Sequence, residues 1–218
     1  MSMTHLFEKG IIFDMDNTLL KSNINFAEMK RAIYQLLLMH GCCGPDLDLQ
    51  NHTASQLIEI GRQSSLMTQE LEDEMWAAVT AVEKDGMHGA VLEEQAREVL
   101  DELRDRYQLY ILTNNAYAAA QEALEETGIS DYFTEIVARE QMTQLKPSPS
   151  GVHYILRQQP QWPLEAWVMI GDSWIDGKAA QDAGIRFLSY QGKPGEMEQR
   201  GVNPVATVKS LRELLNHF

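Results

Sequence analysis

The sequence predicts an α/β fold, a Rossmann-like parallel sheet core carrying an inserted all-helical segment. Three observations carry that prediction. From about residue 96 to the C-terminus, short apolar runs alternate with amphipathic helical stretches, the pattern of a mostly parallel sheet covered on both faces. One earlier apolar run, Ile11-Ile12-Phe13, opens the chain as a buried strand. Between the two, from Phe26 to about Gly86, the periodicity is helical and no strand pattern intervenes. A chain of 218 residues is long enough for such a core with a smaller insert. The expected division is residues 1–22 with 87–218 as the core and 23–86 as the insert.

After the opening strand, Leu19 to Asn25 forms a flap-sized connection. Ile33, Leu36 and Leu37 suit one face of a first insert helix, broken by Gly41-Cys42-Cys43-Gly44-Pro45. Leu71, Met75, Ala78, Val79 and Val82 follow helical spacing behind Thr68, a residue suited to an N-cap. Ala96, Val99, Leu100 and Leu103 make the next helix face, and Tyr107–Leu112 a strand ending at Thr113-Asn114-Asn115. The helix that follows turns Ala116, Ala119, Ala120, Ala123 and Leu124 inward and is closed by Gly128. Ile136–Ala138 is a short strand, and Ser148-Pro149 opens a helix as N-cap and first turn. Trp167–Ile170 is a strand ending at Gly171-Asp172, followed by a helix from Ser173 to Ala183 that Gly184 closes. Ile185–Leu188 and Val205–Val208 are further strands, and Ser210-Leu211-Arg212-Glu213 matches a capping box for a last helix.

Composition narrows the function classes. A formal charge of −14 argues against nucleic acid or an anionic membrane as partner, because both need a basic face. An anionic substrate must therefore meet a local positive group. The two cysteines are the neighbours Cys42 and Cys43; adjacent residues rarely satisfy disulfide geometry, and free thiols point to a reducing compartment. Met1 to Lys9 has no long apolar core, so no signal peptide is expected, and no apolar stretch approaches the length of a membrane span. The expectation is a cytoplasmic protein. Monomer and homodimer both stay open.

Parallel topology delivers three polar strand ends to one sheet edge: Asp14/Asp16, Thr113/Asn114 and Gly171/Asp172. Two acids ending a buried strand are costly unless a charge compensates them, and a divalent cation with oxygen ligands does so. Asp14 can act as a carboxylate nucleophile and Asp16, two residues on, as general acid and base. Thr113 offers a hydroxyl, and the Asn114 backbone amide lies near a helix start, where anions bind. Lys146, stiffened by Pro147 and Pro149, would neutralise Asp14 and phosphoryl charge, and Asp172 adds a carboxylate for Mg²⁺. Thr18 supports the site with its hydroxyl. Asp176 stands three residues after Ser173, spacing that also fits a capping box. Gly171 allows close backbone approach, and Trp174 is a packing residue.

Asp14-Met15-Asp16-Asn17-Thr18, Thr113-Asn114, Lys146-Pro147 and Gly171-Asp172-Ser173-Trp174-Ile175-Asp176 resemble the four motifs of the haloacid dehalogenase superfamily, in order and over nearly the whole chain. The insert is similar to that superfamily's type-I helical cap. The resemblance implies Asp14 as nucleophile, Asp16 as acid/base and Lys146 as charge clamp. It also implies Mg²⁺ held by Asp14, the Asp16 carbonyl and Asp172, with Asp176 as a direct or outer metal helper. True dehalogenases of the superfamily lack an acid at the position of Asp16, since halide departure needs no proton. The resemblance therefore points to a phosphatase of small phosphomonoesters, similar to phosphoglycolate phosphatases. Asn17 stands where those carry glycine. Among insert residues, Arg62 is the first candidate to touch substrate. A sugar-phosphate mutase is the alternative, although Pro45–Gln63 does not resemble the mutase cap loop. A binding protein with a retired fold is the other, although it would have been expected to lose Asp14, Asp16 or Lys146.

Overall fold

The computed structural model describes residues 9–218. The expectation drawn from the first eight residues, that no signal peptide is present, lies outside them. Two compact units form, Met1–Ser22 with Gly89–Phe218, and Asn23–His88.

In the first unit, β1 (Gly10–Phe13) pairs in parallel with β4 (Gln108–Leu112) on one side and β6 (Trp167–Gly171) on the other. The sheet is completed by β5 (Glu135–Val137), β7 (Arg186–Tyr190) and β8 (Ala206–Val208), in the order β5-β4-β1-β6-β7-β8 and parallel throughout. Strand order reverses at β1, so the crevice beyond its carboxyl end is the switch point where α/β sheets bind ligands. A two-stranded antiparallel ribbon, β2 (Leu20–Lys21) with β3 (Val91–Leu92), lies beside the unit's two chain connections. Strands this short leave no periodicity to read, which is why the sequence predicts only a connection there.

The unit's helices are α4 (Ala96–Leu103), α5 (Tyr117–Glu126), α6 (Ser150–Leu156), α7 (Trp174–Asp182) and the short α8 (Pro194–Gln199). Their apolar stripes are those predicted: Ala96, Val99, Leu100 and Leu103 are buried on α4, and Ala119, Ala120, Ala123 and Leu124 on α5. Gly128 and Gly184 take positive φ just past the ends of α5 and α7, as C′ glycines do. One core layer joins Ile12, Tyr110, Leu112 and Met169 from the sheet to Val152, Ile155, Ala179 and Ala180 from the helices, and Trp174 packs against it.

Two local predictions shift. Helix α6 starts one residue later than expected, with Pro149 rather than Ser148 at the cap, because Ser148 closes a turn through its N–H to the Leu145 carbonyl. The last helix, Leu211–His217, is a 3₁₀ helix, and its Ser210 side chain makes no cap bond. Instead the Lys209 N–H donates to Glu213 Oε2. Helix α8, begun by Pro194, was not predicted; six residues are too few to show a helical stripe.

The second unit is three helices, α1 (Phe26–Met39), α2 (Ala54–Arg62) and α3 (Gln69–Met87). Ile33, Leu36 and Leu37 of α1, Leu57 and Ile58 of α2, and Leu71, Met75 and Val79 of α3 are among its buried side chains. Thr68 caps α3 by accepting the Leu71 N–H. Because α3 runs on to Met87, residues 87 and 88 fall in this unit. Among the described residues no helix is long and apolar enough to cross a membrane.

Candidate active site

Strand β1 ends by placing Asp14 beside β6, where the Asp14 N–H donates to the Ile170 carbonyl at 2.8 Å. The chain then turns tightly, with the Leu20 N–H donating to the Met15 carbonyl and the Asn17 N–H to the Leu20 carbonyl. Asn17 holds φ at 54° in that turn. Asparagine is among the few side chains that accept left-handed backbone, so it can stand where glycine is usual. Thr18 is fully buried, and its hydroxyl donates to Asp14 Oδ2 at 3.2 Å.

Lys146 reaches this strand end from the loop between β5 and α6. It is 1% exposed, and its Nζ donates to Asp14 Oδ1 at 2.6 Å, Asp176 Oδ1 at 2.7 Å and the Leu112 carbonyl at 2.8 Å. Its backbone is held by Asn114, whose Nδ2 donates to the Lys146 carbonyl while Oδ1 accepts the Lys146 N–H. Asn114 therefore clamps the lysine loop with its side chain, and α5 begins only at Tyr117. Thr113 is buried, and its Oγ1 accepts the Asn115 N–H.

The structure brings Asp14, Asp172 and Asp176 together, with one carboxylate oxygen from each within 4.8 Å of the others. Asp176 is buried and uses both its oxygens: Oδ1 on Lys146 and Oδ2 on the Ser173 N–H at 3.1 Å. Gly171 makes room for it, since a Cβ there would lie 2.6 Å from Asp176 Cβ and Cγ. Asp16 sits across the turn, its Oδ1 accepting from the Ser22 hydroxyl and its Oδ2 from Asn115 Nδ2, both at 2.7 Å.

Charge is crowded here. Burial and then the Asp14 charge push Asp16 up to about 7, against the hydrogen bonds from Ser22 and Asn115 and the Lys146 charge. Burial, followed by the charges of Asp14 and Asp176, raises Asp172 to about 8. Burial raises Asp176 to about 6, opposed first by Lys146. For Lys146, burial acts downward but is outweighed by Asp14 and Asp176, so it is held above the ordinary lysine range. One ammonium among four acids leaves an excess of negative charge that only a cation or bound protons can balance.

Two neighbours of Asp16, Ser22 and Asn115, lie outside the motif residues. Asn115 carried a weak signal, being the third polar residue of a strand end; Ser22 carried none. Arg62 is held within its own unit, with Nε and Nη2 on Glu72 Oε1 and Nη1 on Glu59 Oε2. Trp174 packs as predicted, with the Arg200 guanidinium 4.6 Å over its ring.

The acid-rich centre thus lies at the carboxyl end of β1, at the switch point of the parallel sheet. Residues 11–190 match the model of the haloacid dehalogenase-like hydrolases, and the chain belongs to that family. It is 31% identical over 188 residues to a pyrophosphatase, PpaX, of Bacillus velezensis, covering 84% of this chain and 83% of that one. It is 29% identical over 206 residues to a phosphoglycolate phosphatase of Vibrio vulnificus, covering 89% of each. Its fold matches the crystal structure of the Bacillus subtilis hydrolase YfnB bound to magnesium, with a TM-score of 0.61 at 22% identity, covering 96% of this chain and 97% of that one.

Proposed function

We propose that the protein is a Mg²⁺-dependent phosphatase of small phosphomonoesters, working through a phosphoaspartate on Asp14. The observation that carries this reading is the pairing of Asp14 with Asp16. One is a carboxylate buried against Lys146. The other is an acid whose affinity for protons, about 7, suits it to give a proton near neutral pH and take one back. The names of the relatives, phosphatases of small esters and a pyrophosphatase, support the same class.

In the first step an Asp14 carboxylate oxygen bonds to phosphorus as the bond to the leaving oxygen breaks, and Asp16 delivers its proton to that oxygen. In the second, water bonds to phosphorus, Asp16 takes its proton, and the bond from phosphorus to Asp14 breaks. Enzyme and proton count are restored. Lys146 stabilises phosphoryl charge beside Asp14, and Asp176 holds Lys146 in place from its far side. Thr18 fixes the second Asp14 oxygen, and Thr113 and Asn114 shape the phosphate end of the site.

The donor set fits a divalent cation, because hard carboxylate oxygens converge where negative charge is in excess. Asp14, the Asp16 carbonyl and Asp172 would hold Mg²⁺, with Asp176 acting on it through the shared charge. When bound, Mg²⁺ supplies Lewis-acid stabilisation of phosphoryl oxygens.

Release of p-nitrophenol from its phosphate ester tests the class. Turnover should need Mg²⁺, stop with excess chelator and vanish in Asp14→Asn. Phosphoglycolate and pyrophosphate lead the panel that follows. Normal turnover in Asp14→Asn would overturn the reading.

A further inference from the structure

We infer that Asn115 is a positioning residue that fixes Asp16 for proton transfer, an inference that rests on the reading of Asp16 as acid and base. A general acid must meet the leaving oxygen at hydrogen-bond distance, and a carboxyl free to rotate about its side-chain torsions meets it only part of the time. Asp16 is not free. Both of its oxygens are held at 2.7 Å, Oδ1 by the Ser22 hydroxyl and Oδ2 by the Asn115 amide.

The two holders differ in chemistry. Asn115 Nδ2 only donates, so Oδ2 is kept as an acceptor whether Asp16 is protonated or not. The proton that moves is thereby assigned to Oδ1. There the Ser22 hydroxyl can donate or accept, and can follow the change of state. The Asn115 amide is also the better braced. The residue is 5% exposed, its N–H donates to Thr113 Oγ1, and its carbonyl accepts the Arg139 N–H at 3.0 Å. The first bond ties it to the end of β4, the strand next to β1, and the second to the turn just past β5. They do not involve its side chain, so a side-chain substitution leaves them in place.

The consequence is selective. Phenolate is a poor leaving group that needs the proton, whereas p-nitrophenolate departs without it. Phenyl phosphate and p-nitrophenyl phosphate are otherwise alike in shape. Because kcat/KM reports only steps through formation of the phosphoaspartate, it isolates the acid role of Asp16 from its later role as base.

The test is kcat/KM for both esters, in the full chain with Mg²⁺, for wild type, Asn115→Ala and Asn115→Leu. The leucine variant keeps the branched shape without the amide and stands in if the smaller side chain impairs folding. Both should lose roughly 10-fold or more on phenyl phosphate and less than about 3-fold on p-nitrophenyl phosphate. Equal losses on the two esters, or no loss on either, would overturn the proposal, since a purely structural role does not sense the leaving group. Asp16→Asn in the same assay separates this from the parent reading. If Asp16→Asn keeps phenyl phosphate turnover, the acid role itself fails. If it abolishes that turnover while the Asn115 variants do not, only the positioning role fails.

Discussion

Replacing Lys146 by methionine keeps the length of the side chain and removes its charge. The Lys146 ammonium is buried and donates three hydrogen bonds of 2.6, 2.7 and 2.8 Å, two to carboxylates and one to a carbonyl. Lys146→Met therefore leaves Asp14 and Asp176 facing each other without their shared cation, and Leu112 without a donor. Removing one partner of a buried ion pair costs about 3–5 kcal/mol, because the other charge stays buried and unpaired. At about 2–4 °C per kcal/mol for a chain of this size, melting should fall by roughly 6–20 °C. Asp176, left without its cation, can escape the penalty by binding a proton. The deficit should therefore be largest near about pH 8 and shrink toward about pH 5, below the value of about 6 to which burial raises Asp176. Thermal unfolding of the metal-free protein, followed by circular dichroism at both pH values, measures it. A loss under about 1 kcal/mol, or one independent of pH, would refute the view of Lys146 as the cation that holds this cluster together.

Two further outcomes follow from the same geometry. Folding raises the carboxyls of Asp176, Asp16 and Asp172 from 3.8 to about 6, 7 and 8. Their native-state contribution is thus complete below the unfolded value and is lost as pH rises through the folded ones, where the unfolded chain binds fewer protons. Metal-free protein should melt at progressively lower temperature between about pH 5 and pH 8.5, and Mg²⁺ should restore most at the upper end; a flat profile, or equal stabilisation by Mg²⁺ at both ends, would contradict this. Gly171→Ala places a Cβ 2.6 Å from Asp176 Cβ, so it should displace Asp176 from Lys146 and lower kcat as well as stability. A variant with wild-type kcat and melting would show that the close approach is not needed.

Much of the architecture was legible because each long element carried its own period. Strands β4 and β6 hold the apolar runs of residues 109–112 and 167–170, β7 holds Phe187 and Leu188, and α4 and α5 bury the faces that their spacing marks. The elements that were not read are short, β2 and β3 at two residues each and α8 at six. Helix α2 was the exception, being long enough to read. Its capping box of Thr53 and Gln56 was present in the sequence as a start signal. For the site, strand ends told which residues share an edge, and the structure does bring Asp14, Lys146, Asp172 and Asp176 together. What spacing could not convey is which group touches which. That Asn114 grips the lysine loop while Asn115 holds Asp16 depends on side-chain directions. Neighbouring asparagines look alike in sequence. The same limit applied to Arg62, a cation that pairs with Glu59 one turn back on its own helix and whose other partner, Glu72, is set by the packing of α2 on α3.

The central claim is that phosphorus becomes bonded to Asp14. Asp16→Asn offers the most direct view of it. With p-nitrophenyl phosphate and Mg²⁺, the leaving group departs unaided, so the phosphoaspartate should form, while the attack of water lacks its base and the intermediate should accumulate. Acid-quenched protein is digested and analysed by mass spectrometry. One phosphoryl group per chain is expected, on the peptide that contains Asp14, and none when Asp14→Asn is added. No phosphoryl group, or one on any other residue, would contradict it.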